Sequence, residues 1–192
     1  MENIKHLPEF VEFQKIARLS REVIISEKID GTNGCIFVGE NGEFLVGSRT
    51  RWITPEQDNY GFARWAYDHK EELVLGLGIG RHYGEWWGSG IQRGYGMTKG
   101  EKRFSLFNVH RWADDSVRPA CCNVVPELWR GIFNTQDVVE QIDILRRTGS
   151  KAAPGFKFPE GIVIYHVAAN IYFKKTILKD NEHKGKNETG TV

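Results

Sequence analysis

Short apolar runs separated by glycine-rich turns set the pattern of the chain. Val23 to Ile25 is the first clear run, and a polar stretch from Ser26 to Asn33 follows it. Cys35 to Val38 and Glu43 to Val46 then flank Gly39-Glu-Asn-Gly42. An Asn-Gly turn between two apolar runs predicts a β-hairpin. Tyr83 to Trp87, Phe104 to Val109 and Val124-Val125 read as further strands, and Gly161 to Val167 and Asn170 to Leu178 as the last two. Two segments carry a helical period instead. Asp58 to about Leu75 places Tyr60, Ala63, Trp65, Ala66 and Leu73 on one stripe, with Asp58 or Asn59 as its cap and Gly76 to Gly80 ending it. Asn134-Thr-Gln-Asp137, followed by Val138, Val139, Ile142 and Leu145, predicts a capped amphipathic helix closed by Gly149. Lys151 to Pro159 reads as a loop. The elements mix without βαβ regularity, so the pattern predicts an α+β fold with antiparallel sheets.

Length and composition narrow the class. A chain of 192 residues with 40% hydrophobic residues suits one globular domain and excludes wholesale disorder. Residues 1–178 read as that domain and 179–192 as a polar tail with no second domain. No apolar run approaches the ~20 residues of a membrane span. The opening MENIKHLPEF lacks the charged-then-apolar order of a secretion signal. A net charge of +1 excludes a basic coat for nucleic acid but leaves room for a local basic groove. Cys35, Cys121 and Cys122 are too few and odd in number for a disulfide framework, which fits a reducing, cytoplasmic compartment. CxxC and HExxH are both absent, which argues against zinc.

The most informative segment is Ser26-Glu-Lys-Ile-Asp-Gly-Thr-Asn33, between a strand and the hairpin. A lysine on a tight turn at a strand end can be held against a ligand. Desolvation or a neighbouring cation would then expose a nucleophilic amine. Asp30 can orient that amine or bind a ribose hydroxyl, and Gly31 permits the turn. Taken alone, the same four residues also read as a surface Glu-Lys pair beside a turn.

With the rest of the chain beside it, the sequence resembles the covalent nucleotidyltransferases: ATP-dependent RNA and DNA ligases and mRNA capping enzymes. Lys28-Ile29-Asp30-Gly31 is similar to the family's KxDG motif, and EKIDGTN resembles the RNA-ligase branch in particular. Ser48-Arg49, Tyr83-Gly84-Glu85-Trp86, Phe104 to Val109, Pro159 to Val163 and Phe173 to Thr176 resemble the later motifs in the family's order. The resemblance runs from about Phe10 to Lys175. It implies a nucleotidyltransferase domain of two antiparallel sheets with flanking helices and an ATP pocket between them. It also implies ATP and Mg²⁺ (or Mn²⁺) as cofactors, and lysyl-AMP on Lys28 as the intermediate that joins 5′-phosphate to 3′-hydroxyl ends.

Roles carry over residue by residue. Nucleotide binding falls to Glu27, Asp30, Gly31, Asn33, Arg49, Glu85, Phe107, Lys174 and Lys175, and metal binding to Glu160. The base-stacking role goes to Phe107, with Phe104 as second choice. The family's last motif reads lysine, any residue, lysine, whereas this chain has Lys174, Lys175 and Thr176, so the second place falls on a threonine. RNA ends or nicks are the expected partner. A DNA ligase, and a nucleotide- or nucleic-acid-binding module without catalysis, are the alternatives, and a partner protein supplying a missing domain is a further one. Gly88 to Gly96 reads as a loop that closes on ATP, touches the polynucleotide or simply lies on the surface. His82 reads as a phosphate ligand or a surface residue. Arg51, Lys99, Lys102, Arg103, Arg146, Arg147 and Lys151 are candidates for backbone contact with nucleic acid.

Overall fold

The computed structural model describes residues 8–178 and Asp180. The polar tail predicted for 179–192 otherwise lies outside the described residues.

The first sheet has four antiparallel strands. Its centre is β1 (Glu22–Lys28), buried at five of its seven residues and apolar over Val23 to Ile25. The second sheet has six strands and begins with β2 (Thr32–Val38), β3 (Phe44–Gly47) and the short β4 (Trp52–Ile53). The chain passes from one sheet to the other through Ile29-Asp30-Gly31, so the lysine motif sits at the junction. Gly31 is required there: a Cβ would lie 2.8 Å from Trp87 Cβ and would collide with the Trp86 carbonyl. β2 and β3 pair through the predicted hairpin, with Gly42 at φ 85.

Two helices cover one face of the six-stranded sheet, α1 (Phe62–Asp68) and α2 (Lys70–Leu77). The sequence pattern predicts one helix here. Its residues form two, because His69 leaves helical geometry at φ −107, ψ 16. Asp58 does cap the first, its carboxylate accepting the Ala63 and Arg64 N–H groups at 2.7 and 3.1 Å. Phe62, Ala63, Ala66, Leu73 and Leu77 pack on Ile36, Val46, Trp86 and Phe104.

The sheet continues through β5 (Gly80–Gly88), β6 (Lys102–Leu106) and, after α3 (Val109–Trp112), β7 (Cys122–Val124). The strand predicted over Phe104 to Val109 therefore stops early. Asn108 turns the chain and caps α3 by accepting the Arg111 N–H at 3.1 Å. β7 runs parallel to β6, so the expectation of wholly antiparallel sheets fails at this one pair.

β8 (Glu127–Ile132), β9 (Gly161–His166) and β10 (Ile171–Thr176) complete the first sheet in the order β10-β9-β1-β8. Its apolar face packs against α4 (Thr135–Thr148) through Val23, Ile25, Ile162 and Ile164 on the strands and Ile142 and Leu145 on the helix. Asn134 caps α4 and Gly149 closes it, as the pattern predicts. No helix among the described residues is long and apolar enough to cross a membrane.

Candidate active site

Alternation along β1 decides which side chains enter the space between the sheets. Ser26 and Lys28 line a cavity of about 610 Å³ together with Glu85, Phe107, Glu160 and Lys174. Glu27 also borders this cavity, but its carboxylate is taken up by the loop after α4. Glu27 is 1% exposed and accepts hydrogen bonds from Ser150 Oγ at 2.6 Å and from the Lys151 and Ala152 N–H groups at 2.7 and 2.9 Å. Burial pushes its carboxyl pKa up, against the pull of these three donors. Its carboxylate holds the loop that leads to β9.

The β1–β9 register sets Lys28 opposite Gly161, which brings Glu160 alongside. Lys28 Nζ lies 2.6 Å from Glu160 Oε2, with the two side chains 23% and 14% exposed. The pair is partly shielded from water, and its charges feel each other strongly. Gly161 is needed at this crossing: a Cβ would lie 2.7 Å from Thr176 Cα and would strike the Lys175 carbonyl.

A second carboxylate comes from the other sheet. The β2–β5 register pairs Asn33 with Glu85. Glu85 accepts the Gly31 N–H at 3.0 Å and Asn33 Nδ2 at 3.1 Å, tying the turn after Lys28 to β5. Burial pushes its pKa up to about 7; Glu160 and Asp30 push the same way, against Lys28 and the Gly31 amide. A carboxyl whose folded pKa exceeds its unfolded value binds protons more tightly in the folded protein. Stability linked to Glu85 is therefore greatest below pH 4.5 and falls by roughly 3 kcal/mol as pH rises to about 7. Thermal midpoints of the wild type should decline across this window more steeply than those of Glu85→Gln. Parallel curves would show that the burial of Glu85 costs nothing.

Asp30 does not approach the amine by hydrogen bond. Its carboxylate pairs with Arg93 Nε at 2.8 Å, and its N–H donates to Tyr95 Oη at 2.8 Å. Arg93 also donates to the Phe158 carbonyl at 3.2 Å. The Gly-rich loop thus clasps both the lysine turn and the segment before Glu160. It is not a free surface loop, and Tyr95 is buried in a left-handed conformation (φ 51) between Trp87 and Phe156. Sequence reasoning singled out the loop but missed Tyr95. Its one signal was an aromatic flanked by Gly94 and Gly96.

Phe107 is half-buried on the cavity wall, whereas Phe104 lies in the core against Phe62. Arg49 is exposed at the cavity mouth. On β10, Lys174 faces Val163 across the ladder and lines the cavity. Lys175 instead pairs with Asp180 Oδ2 at 2.9 Å. His82 is neither a surface residue nor placed as a phosphate ligand: it is buried, with Nε2 2.9 Å from the Gly78 carbonyl. Tyr172, which no sequence signal distinguished from other strand aromatics, forms part of the opposite wall.

Among the described residues no cluster of three or more metal-ligating side chains is preformed. The Glu160 carboxylate is a donor of the kind that suits Mg²⁺, which keeps several waters and takes one or two carboxylates plus substrate phosphates. Glu160 offers its carboxylate to the cavity, while both Glu85 oxygens are held by Gly31 and Asn33.

A family model described as RNA ligase matches residues 21–179. Several solved structures of Naegleria gruberi RNA ligase are similar to the chain. An apo alanine variant superposes with a TM-score of 0.62 at 17% identity, covering 88% of this chain and 57% of its own. A variant with AMP and Mn gives 0.62 at 18%, covering 88% and 56%. Another with ATP and Mn gives 0.59 at 21%, covering 82% and 50%. The chain spans about half the length of these ligases, and at such identities the likeness establishes the two-sheet fold alone. Comparison with curated proteins gives no match.

Proposed function

The chain belongs to the RNA ligase family, and from that premise we propose that it is an ATP-dependent RNA ligase core acting through lysyl-AMP on Lys28. The observation that carries the reading is Lys28 Nζ, 2.6 Å from Glu160, on an inter-sheet cavity that Lys174 and Phe107 also line. The neighbour solved with ATP and Mn supports ATP and a divalent cation as ligands. Phe107 offers an aromatic face for the adenine. Arg49 offers a planar fork for ribose or phosphate, and Lys174 a point charge for the phosphates.

The nucleophile must be a neutral amine. Glu160 is within reach to accept the Lys28 proton, and Lys174 lines the same cavity. The nitrogen–phosphorus bond to the α-phosphate then forms as the bond to pyrophosphate breaks. Little covalent help is needed beyond positioning and charge. A divalent cation held at Glu160 would supply charge neutralisation on the phosphates. AMP next passes from Lys28 to a 5′-phosphate end, and a 3′-hydroxyl displaces it. All three cysteines are free, two of them buried, which suits the cytoplasm.

Incubation of the purified chain with ATP, Mg²⁺ and 5′-phosphorylated RNA, single-stranded or nicked, tests the reading. Sealed RNA is the expected product. Sealing of DNA alone would move the chain to the DNA ligases. Adenylate gain without sealing would indicate that a partner protein completes the enzyme.

A further inference from the structure

A strip of aromatic and arginine side chains leaves the cavity along the open face of the six-stranded sheet. Residues of β5 alternate: His82 and Gly84 are buried under the helices, while Arg81 and Tyr83 are exposed on the other side. The β2–β5 register sets Tyr83 opposite Cys35 and Arg81 opposite Phe37. The guanidinium of Arg81 lies over the rings of Phe37 and Trp52, at 4.9 and 5.5 Å. Gly47 makes room for that indole, since a Cβ there would sit 3.1 Å from the Trp52 ring. Tyr83 and Trp52 remain 54% and 47% exposed. This is much aromatic surface for water to meet.

The strip is continuous with the site. A second cavity, of about 460 Å³, is lined by Arg81, Tyr83 and Asn108, and it shares Asn33, Arg49 and Phe107 with the first. Two of its arginines are also free of ion pairs, while Arg111 is held by the Leu77 carbonyl at 2.7 Å. Among the described residues Arg49 and Arg81 form no ion pair, whereas Arg103 is paired with Glu101 and Arg146 with Asp143. An anchored guanidinium beside exposed rings matches a chain that alternates phosphates and bases. Rings accept any base by stacking, and arginine accepts phosphate through its planar fork. A duplex hides its base faces and cannot use such a platform.

The geometry points to this strip as the track for single-stranded RNA entering the site, with a base on Tyr83 and a phosphate at Arg81. The assignment rests on the RNA ligase reading and adds to it the surface that holds the polynucleotide.

Anisotropy of a fluorescein-labelled oligouridylate, measured over a salt series, tests the track, with intact mass after ATP and Mg²⁺ read in parallel. Tyr83→Ala should weaken binding about ten-fold, the scale of one lost stacked base, and Tyr83→Phe should preserve it. Arg81→Gln should weaken binding and make the salt dependence shallower by about one phosphate contact. Arg146→Ala should bind like the wild type. All four variants should still gain AMP, which reports that each is folded. Unchanged binding in Tyr83→Ala and Arg81→Gln, or a loss in Tyr83→Phe equal to that in Tyr83→Ala, would overturn the track. A wild type that binds oligouridylate through Tyr83 and Arg81 yet never gains AMP would keep the track and sink the ligase reading.

Discussion

Lys28→Ala should abolish sealing from ATP, with a loss of about 10⁴-fold or more, the scale seen when a covalent nucleophile is removed. The reason is specific to one atom. Nζ is the amine that the cavity presents 2.6 Å from Glu160, with Lys174 on the same cavity lining. Lys28→Arg should fail equally, because the guanidinium keeps the charge but cannot become the neutral nucleophile. The same variants should still join an RNA strand that already carries a 5′-adenylate, since Lys28 has no bond to make in that step. Loss of the partly shielded ion pair with Glu160 should lower the folding stability of Lys28→Ala, and joining of the pre-adenylated strand reports that the variant is still folded. A Lys28→Ala protein that seals from ATP at the wild-type rate would place the nucleophile elsewhere.

Glu27→Ala should cost about 3 to 5 kcal/mol of folding stability. The carboxylate is buried and receives three donors from the loop after α4. Removing it strands two backbone N–H groups and the Ser150 hydroxyl, each a loss of about 1 to 3 kcal/mol, offset in part if water enters. That is a large share of the 5 to 15 kcal/mol typical of a domain. Glu27→Gln should lose less, because its carbonyl keeps one acceptor in place. Urea denaturation reads both. A Glu27→Ala midpoint equal to that of the wild type would mean that the loop satisfies its donors without the carboxylate. The residue assigned by family resemblance to nucleotide binding would then have a different task from the one its hydrogen bonds indicate.

The parts of the fold written in local sequence were legible. The Asn41-Gly42 hairpin and α4 with its Asn134 cap follow from turn chemistry and period alone. β8 was missed because its half-exposed pattern, with Gly131 and Arg130 inside, carries no clean alternation. β4 is only two residues long. The parallel β6–β7 pair depends on how α3 returns the chain, which no local signal encodes.

In the site, the lysine motif could be read from the residues themselves, whereas Arg49, Glu85, Phe107, Glu160 and Lys174 were named only through the family resemblance, without the contacts that bring them to one cavity. Lys28 and Glu160 meet through strand register across 132 residues, and Glu85 meets Asn33 the same way. Register is a tertiary choice set by which face is buried. It also decides that Lys174 turns to the cavity and Lys175 away from it, a difference of one residue that composition cannot resolve.

The central claim is that Lys28 is the covalent acceptor of AMP. Intact-mass spectrometry of the purified chain with Mg²⁺, offered ATP and GTP separately, addresses it most directly. The expected result is the gain of one AMP from ATP alone, located on the peptide containing Lys28 and absent in Lys28→Ala. A folded chain that binds ATP but gains no mass, or that carries the adduct on another residue, would contradict it.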